Sequence, residues 1–178
     1  MWTERLLAAT GREDQQLTLP WERVELALET PLPDDYKRLC EAFGHGTFCH
    51  AYELISVGHE ESGDILSGWQ VYLESVPEPG SEGAATSQYA PYAIYRPGRA
   101  GLIPWGAGEA GDEMFWLAGS NPPEAWAILV RNSDFGPGEW SRFDMPVSEF
   151  MGRLLLEPDF GPFGIAHAIP QPFFVPEG

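Results

Sequence analysis

Apolar positions along the chain fall into blocks of two kinds, one repeating every three or four residues and one alternating. In the stretch opened by Pro20, Trp21, Val24 and Leu28 recur at near-helical spacing until Thr30 and Pro31 stop it, which predicts a helix. The next block, LPDDYKRLCEAFG, predicts a second one. Pro33 suits a first helical position, Asp34 and Asp35 occupy the turn where the helix dipole favours negative charge, and Gly44 is placed to end it. Tyr36, Leu39, Cys40 and Phe43 then share one apolar face. From Phe48 to Val57 the spacing changes to alternation in aromatic and branched residues, and a strand is expected. Ile65, Leu66, Trp69, Tyr72, Leu73 and Val76 return to helical spacing and place a third helix over 62–75. The segment PEPGSEGAATS, 77–87, lacks apolar bulk and reads as a loop, followed by a short strand over Tyr92 to Tyr95.

The centre of the pattern is Gly101 to Trp116, GLIPWGAGEAGDEMFW, where two apolar runs flank a glycine-rich connection. This predicts a strand pair with Leu102, Ile103, Phe115 and Trp116 inside, leaving the turn Gly106 to Glu113 as a contact surface. Trp126 to Val130 carries no charge until Arg131, as expected of a strand buried on both faces. NSDFGPGEW is a turn, Trp140 to Phe143 a short strand, and Pro146 opens a helix whose Val147, Phe150, Met151, Leu154 and Leu155 form an apolar stripe. These elements divide the chain into a polar N-terminal extension (1–18) with Leu6 and Leu7 as its apolar cluster, a domain (19–156), and a proline- and phenylalanine-rich tail (157–178) expected to lie extended against the domain or a partner.

Charge narrows the function classes. Ten basic residues stand against 27 acidic ones in 178, a formal charge of −17. Such a surface repels phosphate backbones and anionic lipid, so neither nucleic acid nor membrane is expected as a partner, whereas a basic protein would be steered towards it. No apolar stretch approaches the roughly 20 residues that span a bilayer. The start, MWTERLLAATGRED, has Arg5 as its early positive charge and no long apolar region after it, so no secretory signal is expected. With two cysteines, Cys40 and Cys49, the expectation is reduced thiols and a cytoplasmic setting.

Reactive constellations are sparse. A phosphate cradle at the central glycines would need a helix directly after it, and Pro122 and Pro123 follow soon after the second strand instead. His45, Cys49, His50 and His59 crowd together, but His45 falls in a turn, and adjacent Cys49 and His50 on one strand would point to opposite faces. Cys40 lies on an apolar helix face, where thiols are packing, and no GxSxG elbow is present. The carboxylate pairs Asp34 and Asp35, Glu60 and Glu61, and Asp112 and Glu113 each have a plainer reading as a helix start, a solvated loop and a turn entering a strand. No catalytic residue, metal or cofactor is assigned.

In series, Trp21 with Val24, Glu25 and Leu28, LPDDYKRL at 32–39, Phe43 to Phe48, GLIPWG at 101–106, GDEMFW at 111–116, Trp126 to Val130, and Ser148, Phe150 and Leu154 of the last helix make the chain resemble the SMI1/KNR4 (SUKH) superfamily, especially its actinobacterial members. It departs from that pattern at Glu29, where many relatives place glycine, and at Ala100 with Gly101, where a glycine pair is common. The resemblance implies a single α+β domain, a mainly antiparallel sheet with helices packed around it. It also implies a non-enzymatic immunity protein that binds and neutralises a cognate bacterial toxin, often a nuclease. Under that reading Glu60, Glu61, Glu109, Asp112 and Glu113 form the acidic contact surface and Trp105 is a candidate anchor. A regulatory or scaffold domain, and a small hydrolase built on a carboxylate pair or the histidine cluster, are the alternatives.

Overall fold

The computed structural model describes residues 1–58 and 64–177. In chain order the elements are α1 (Trp2–Thr10), α2 (Trp21–Leu28), α3 (Asp34–Phe43), β1 (Gly46–Phe48), β2 (Tyr52–Leu54), α4 (Ile65–Ser75), β3 (Gly101–Gly108), β4 (Asp112–Ala118), β5 (Ala127–Asn132), β6 (Ser141–Phe143), α5 (Val147–Leu156) and β7 (Phe174–Pro176). The strands form one seven-stranded antiparallel sheet in the order β6-β5-β4-β3-β2-β1-β7, a meander closed at one edge by the C-terminal strand. The fold is therefore α+β.

Both faces of the sheet are covered, which is why β3 and β5 read as nearly unbroken apolar runs. On one face α1, α3 and α5 pack together. Tyr36 of α3 meets the Trp116 ring edge-on at 4.7 Å, and Phe150 of α5 meets Trp105 at 5.9 Å. On the other face α4 crosses β3, and Tyr72 packs on Phe115 at 5.1 Å, with Tyr89 and Trp140 closing over the same ring. Trp116 and Phe115 are neighbours in sequence and so serve opposite faces.

The central pair β3 and β4 contains a register shift between Pro104 and Gly106. Proline brings no N–H to a ladder, so a central strand tolerates it where pairing is already broken by a bulge. Trp105, two residues on from Ile103, which stands opposite Trp116, faces α5, where it is fully buried and 6.0 Å from Trp116. Trp105 is thus core, and its expected role as an exposed anchor is corrected.

Three further expectations change. The single strand over 48–57 is a hairpin, β1 and β2, turned at Phe48 to Ala51 with Ala51 N–H donating to Phe48 O at 2.9 Å. Cys49 and His50 sit in its bend with φ of 58° and 53°, left-handed values usually supplied by Asn or Gly, so nothing local advertised the turn. Residues 92–95 are not a strand; Ile94 makes an isolated bridge to Leu102. The polar start carries α1, whose Leu6 is fully buried and whose Trp2 ring lies against Gly152 of α5. The tail leaves α5 in turns held by Tyr52 Oη–H donating to Phe163 O at 2.7 Å, then adds β7 to β1, with Phe174 packed on Phe43 and Phe48.

Gly101, the first residue of β3, lets the chain at 93–95 cross in contact with the sheet. A β-carbon there would lie 2.5 Å from Tyr95 N and 2.7 Å from Ala93 O, both backbone atoms that cannot swing aside. Gly101→Ala is expected to lower the unfolding free energy by about 1–3 kcal/mol. Gly119→Ala, whose added carbon meets only the Ala100 methyl at 3.5 Å, should stay within about 0.5 kcal/mol of the parent. Urea titrations of both variants measure the difference.

Candidate functional site

The turn between β3 and β4 was the expected contact surface, and its acids have different fates. Glu109 is exposed at the tip. Asp112 is buried, accepting from Asn132 Nδ2 at 2.7 Å, while Asn132 also donates to Ala110 O at 3.0 Å and so ties β5 to the turn. Glu113 points to the opposite face, beneath α4. Its Oε1 accepts from Tyr72 Oη at 2.7 Å and Tyr89 Oη at 2.8 Å, and its Oε2 pairs with Arg131. Asp112 and Glu113 are thus structural, and their expected place on a partner surface is corrected. Glu60 and Glu61, with His59, lie outside the described residues.

Arg131 stands opposite Glu113 in the β4–β5 register and is 1% exposed. A buried guanidinium is costly unless paired and hydrogen-bonded. Here Nη1 pairs with Glu113, Nη2 donates to Gln88 Oε1 at 3.2 Å and Phe135 O at 3.4 Å, and the guanidinium lies 5.1 Å from the Tyr89 ring centre. Burial, reinforced by the Glu113 carboxylate, pushes the Tyr72 and Tyr89 hydroxyls well above the ordinary tyrosine range, so both stay protonated donors. The cluster has the composition of an acid–base site, but each oxygen of Glu113 is already engaged within the fold. Sequence reasoning passed over Arg131 because it stood only as the end of an uncharged run; the cue was a lone arginine on a strand with an acid in the neighbouring strand.

The other candidates are likewise dispersed. Asp34 pairs with Lys37 at 2.9 Å, whereas Asp35 accepts from Ser148 N at 2.8 Å and so caps the first turn of α5, which has no cap of its own. Burial raises the Asp35 carboxyl above its ordinary value despite that hydrogen bond. The Cys40 thiol is fully buried and pushed up to about 12, the range of inert packing. His45 Nε2 lies 3.4 Å from Glu177, His50 packs on the Phe173 ring, and Cys49 Sγ approaches Phe173 O at 3.7 Å. Among the described residues, no three His, Cys, Asp or Glu side chains converge as metal ligands, and no helix is long and apolar enough to cross a membrane.

Two open grooves stand out among the described residues. One of about 350 Å³ is lined by Glu29, Thr30, Tyr95, Arg99 and Ser120 among others; one of about 420 Å³ lies inside the loop after α4. Neither gathers two carboxylates with a histidine. What the fold and this site define is an α+β protein on a seven-stranded antiparallel sheet with a buried arginine–glutamate–tyrosine cluster. No protein family, curated protein or solved structure matches the chain.

Two outcomes test the assignment of these charges to structure. Arg131→Met leaves a largely buried carboxylate without its cation and is expected to cost about 3–5 kcal/mol, and the double variant Arg131→Met/Glu113→Gln less than the sum of the singles. Chemical denaturation of the four proteins closes the cycle. For Asp35, a folded pKa above the unfolded one means that its contribution is present in full below the unfolded value and is lost as pH rises through the folded value. Denaturation midpoints from about pH 3 to pH 7 should therefore fall relative to those of Asp35→Asn as pH rises; a gap that stays constant contradicts the raised value.

Proposed function

We propose that the protein is a non-enzymatic binder that neutralises a basic protein toxin, of the immunity type suggested by its SUKH resemblance. The observation that carries this reading is the division of its acids. Among the described residues, both candidate pairs have members engaged within the fold: Asp35 at the α5 N-terminus, Asp112 on Asn132 and Glu113 on Arg131. Exposed Glu74, Glu82, Glu124, Asp134 and Asp159 have no cation partner among the described residues. Free surface carboxylates in a chain of charge −17 present a basic nuclease with the field of its own substrate, giving fast encounter, with apolar contacts needed to hold the complex. Of the acids assigned to the interface from sequence, Glu109 keeps an exposed carboxylate at the β3–β4 turn.

Co-expression with basic, nuclease-type toxins tests the reading. The expected outcome is restored growth with one toxin and a stoichiometric complex that co-purifies with it. Absence of protection across the toxin set, with no complex formed, contradicts it.

A further inference from the structure

The loop after α4 is not the featureless linker its composition suggests. It folds back on the sheet and is fastened at several points. Tyr89 donates to Glu113, Gln88 accepts from Arg131, and Ala90 O accepts from Gly138 N at 3.1 Å and Trp140 Nε1 at 3.0 Å. Tyr92 packs edge-on against Trp140 at 5.3 Å. At its other end Arg96 and Arg99 both hold Glu78. Between these fastenings the loop encloses an open groove of about 420 Å³, walled by Pro77, Pro79, Ala84, Ala85, Pro91 and Tyr92.

Proline rings, alanine methyls and one tyrosine make a shallow apolar trough with little side-chain entropy to lose on contact, the kind of preformed site that accepts one flat ring. Its rim is acidic. Glu82 lies on the loop itself, Glu74 ends the helix that leads into it, and Glu139 stands beside the Gly138 that holds Ala90; all three are exposed. Glu78, by contrast, is neutralised by its two arginines. An apolar trough with carboxylates on the adjoining chain that lack an ion pair among the described residues matches a basic segment that carries a bulky aromatic side chain. A neutral or acidic ligand gains nothing from that rim.

We infer that this groove is the anchor site of the basic partner, receiving an aromatic side chain flanked by lysine or arginine. The inference rests on the toxin-binding reading for the identity of the partner, and on the groove alone for its chemistry. Trp105, buried in the core, leaves the anchoring aromatic to the partner's side of the interface.

The test uses the full chain labelled for amide NMR and the amidated peptide Lys-Lys-Trp-Lys-Lys as probe. Glu-Glu-Trp-Glu-Glu and Lys-Lys-Ala-Lys-Lys are the controls. The expected result is saturable shifts at Ala84, Ala85 and Tyr92 with the first peptide, at least about tenfold weaker binding by either control, and a comparable loss in Ala85→Trp, which fills the trough from an exposed position. Glu82→Lys should weaken binding by about threefold at low salt without disturbing the remaining spectrum. No shifts at these residues, equal shifts with either control, or undiminished binding by Ala85→Trp overturns the inference. Failure of the two readings is distinguishable. Toxin protection undiminished in Ala85→Trp removes the groove and keeps the toxin reading, whereas peptide binding without protection against any toxin keeps the groove and removes that reading.

Discussion

A guanidinium in the middle of a sheet has to be neutralised, and much of the face under α4 is arranged to do so. Arg131 recruits Glu113 from the adjacent strand, and that carboxylate draws hydroxyls from α4 and from the loop beyond it. The side chain of Gln88 and the carbonyl of Phe135 accept from its other terminal nitrogen. Four separate stretches of chain therefore meet at one charge. An apolar residue at this position would pack without such demands, and buried pairs of this kind contribute less to net stability than to the penalty for any arrangement that leaves them apart. Here the consequence is a fixed position for a loop whose composition gives it no other reason to settle.

The opposite face is filled chiefly by aromatic packing. Tyr36, Trp105, Trp116 and Phe150 meet there at ring distances of 4.7 to 6.0 Å. Trp105 reaches it by the alternation of β3, on the same side as Ile103, which stands opposite Trp116. Polar specification on one side and aromatic packing on the other leave the sheet with no open face over its central strands. Interaction with other molecules falls to the loops, the helix surfaces and the sheet edges.

The long periodic segments were legible in the sequence. The helical spacing of Tyr36, Leu39, Cys40 and Phe43 and the stripe from Val147 to Leu155 correspond to α3 and α5, and the flanks of the glycine-rich centre correspond to β3 and β4. What escaped was set by contacts distant in sequence. The hairpin at Cys49 and His50 takes left-handed backbone from residues that rarely adopt it. Asp35 sits in the first turn of α3 as expected and serves in addition as the cap of a helix 113 positions away in the chain. Of the candidate site, the sequence showed which residues were acidic but not which way they face. Asp112 and Glu113 are drawn inward by Asn132 and Arg131, partners visible only once the register of β4 against β5 is known. Trp105 carried the same ambiguity, since an aromatic beside a glycine turn reads equally well as anchor or as core.

Function, on this account, belongs to charge left over after the fold has met its own needs. The acids inside hold strands, helix and loop together, and several outside, Glu74, Glu82, Glu124, Asp134 and Asp159 among them, face solvent without a cation partner among the described residues. Surface attraction of this kind is screened over a Debye length of about 8 Å at physiological salt, whereas an apolar contact is not. The affinity of the purified protein for the basic toxin proposed as its partner, measured across salt concentrations, is the most direct test. The account predicts association that slows steeply and a dissociation constant that rises steadily with salt, with dissociation rates nearly unchanged; an association rate indifferent to salt would contradict it.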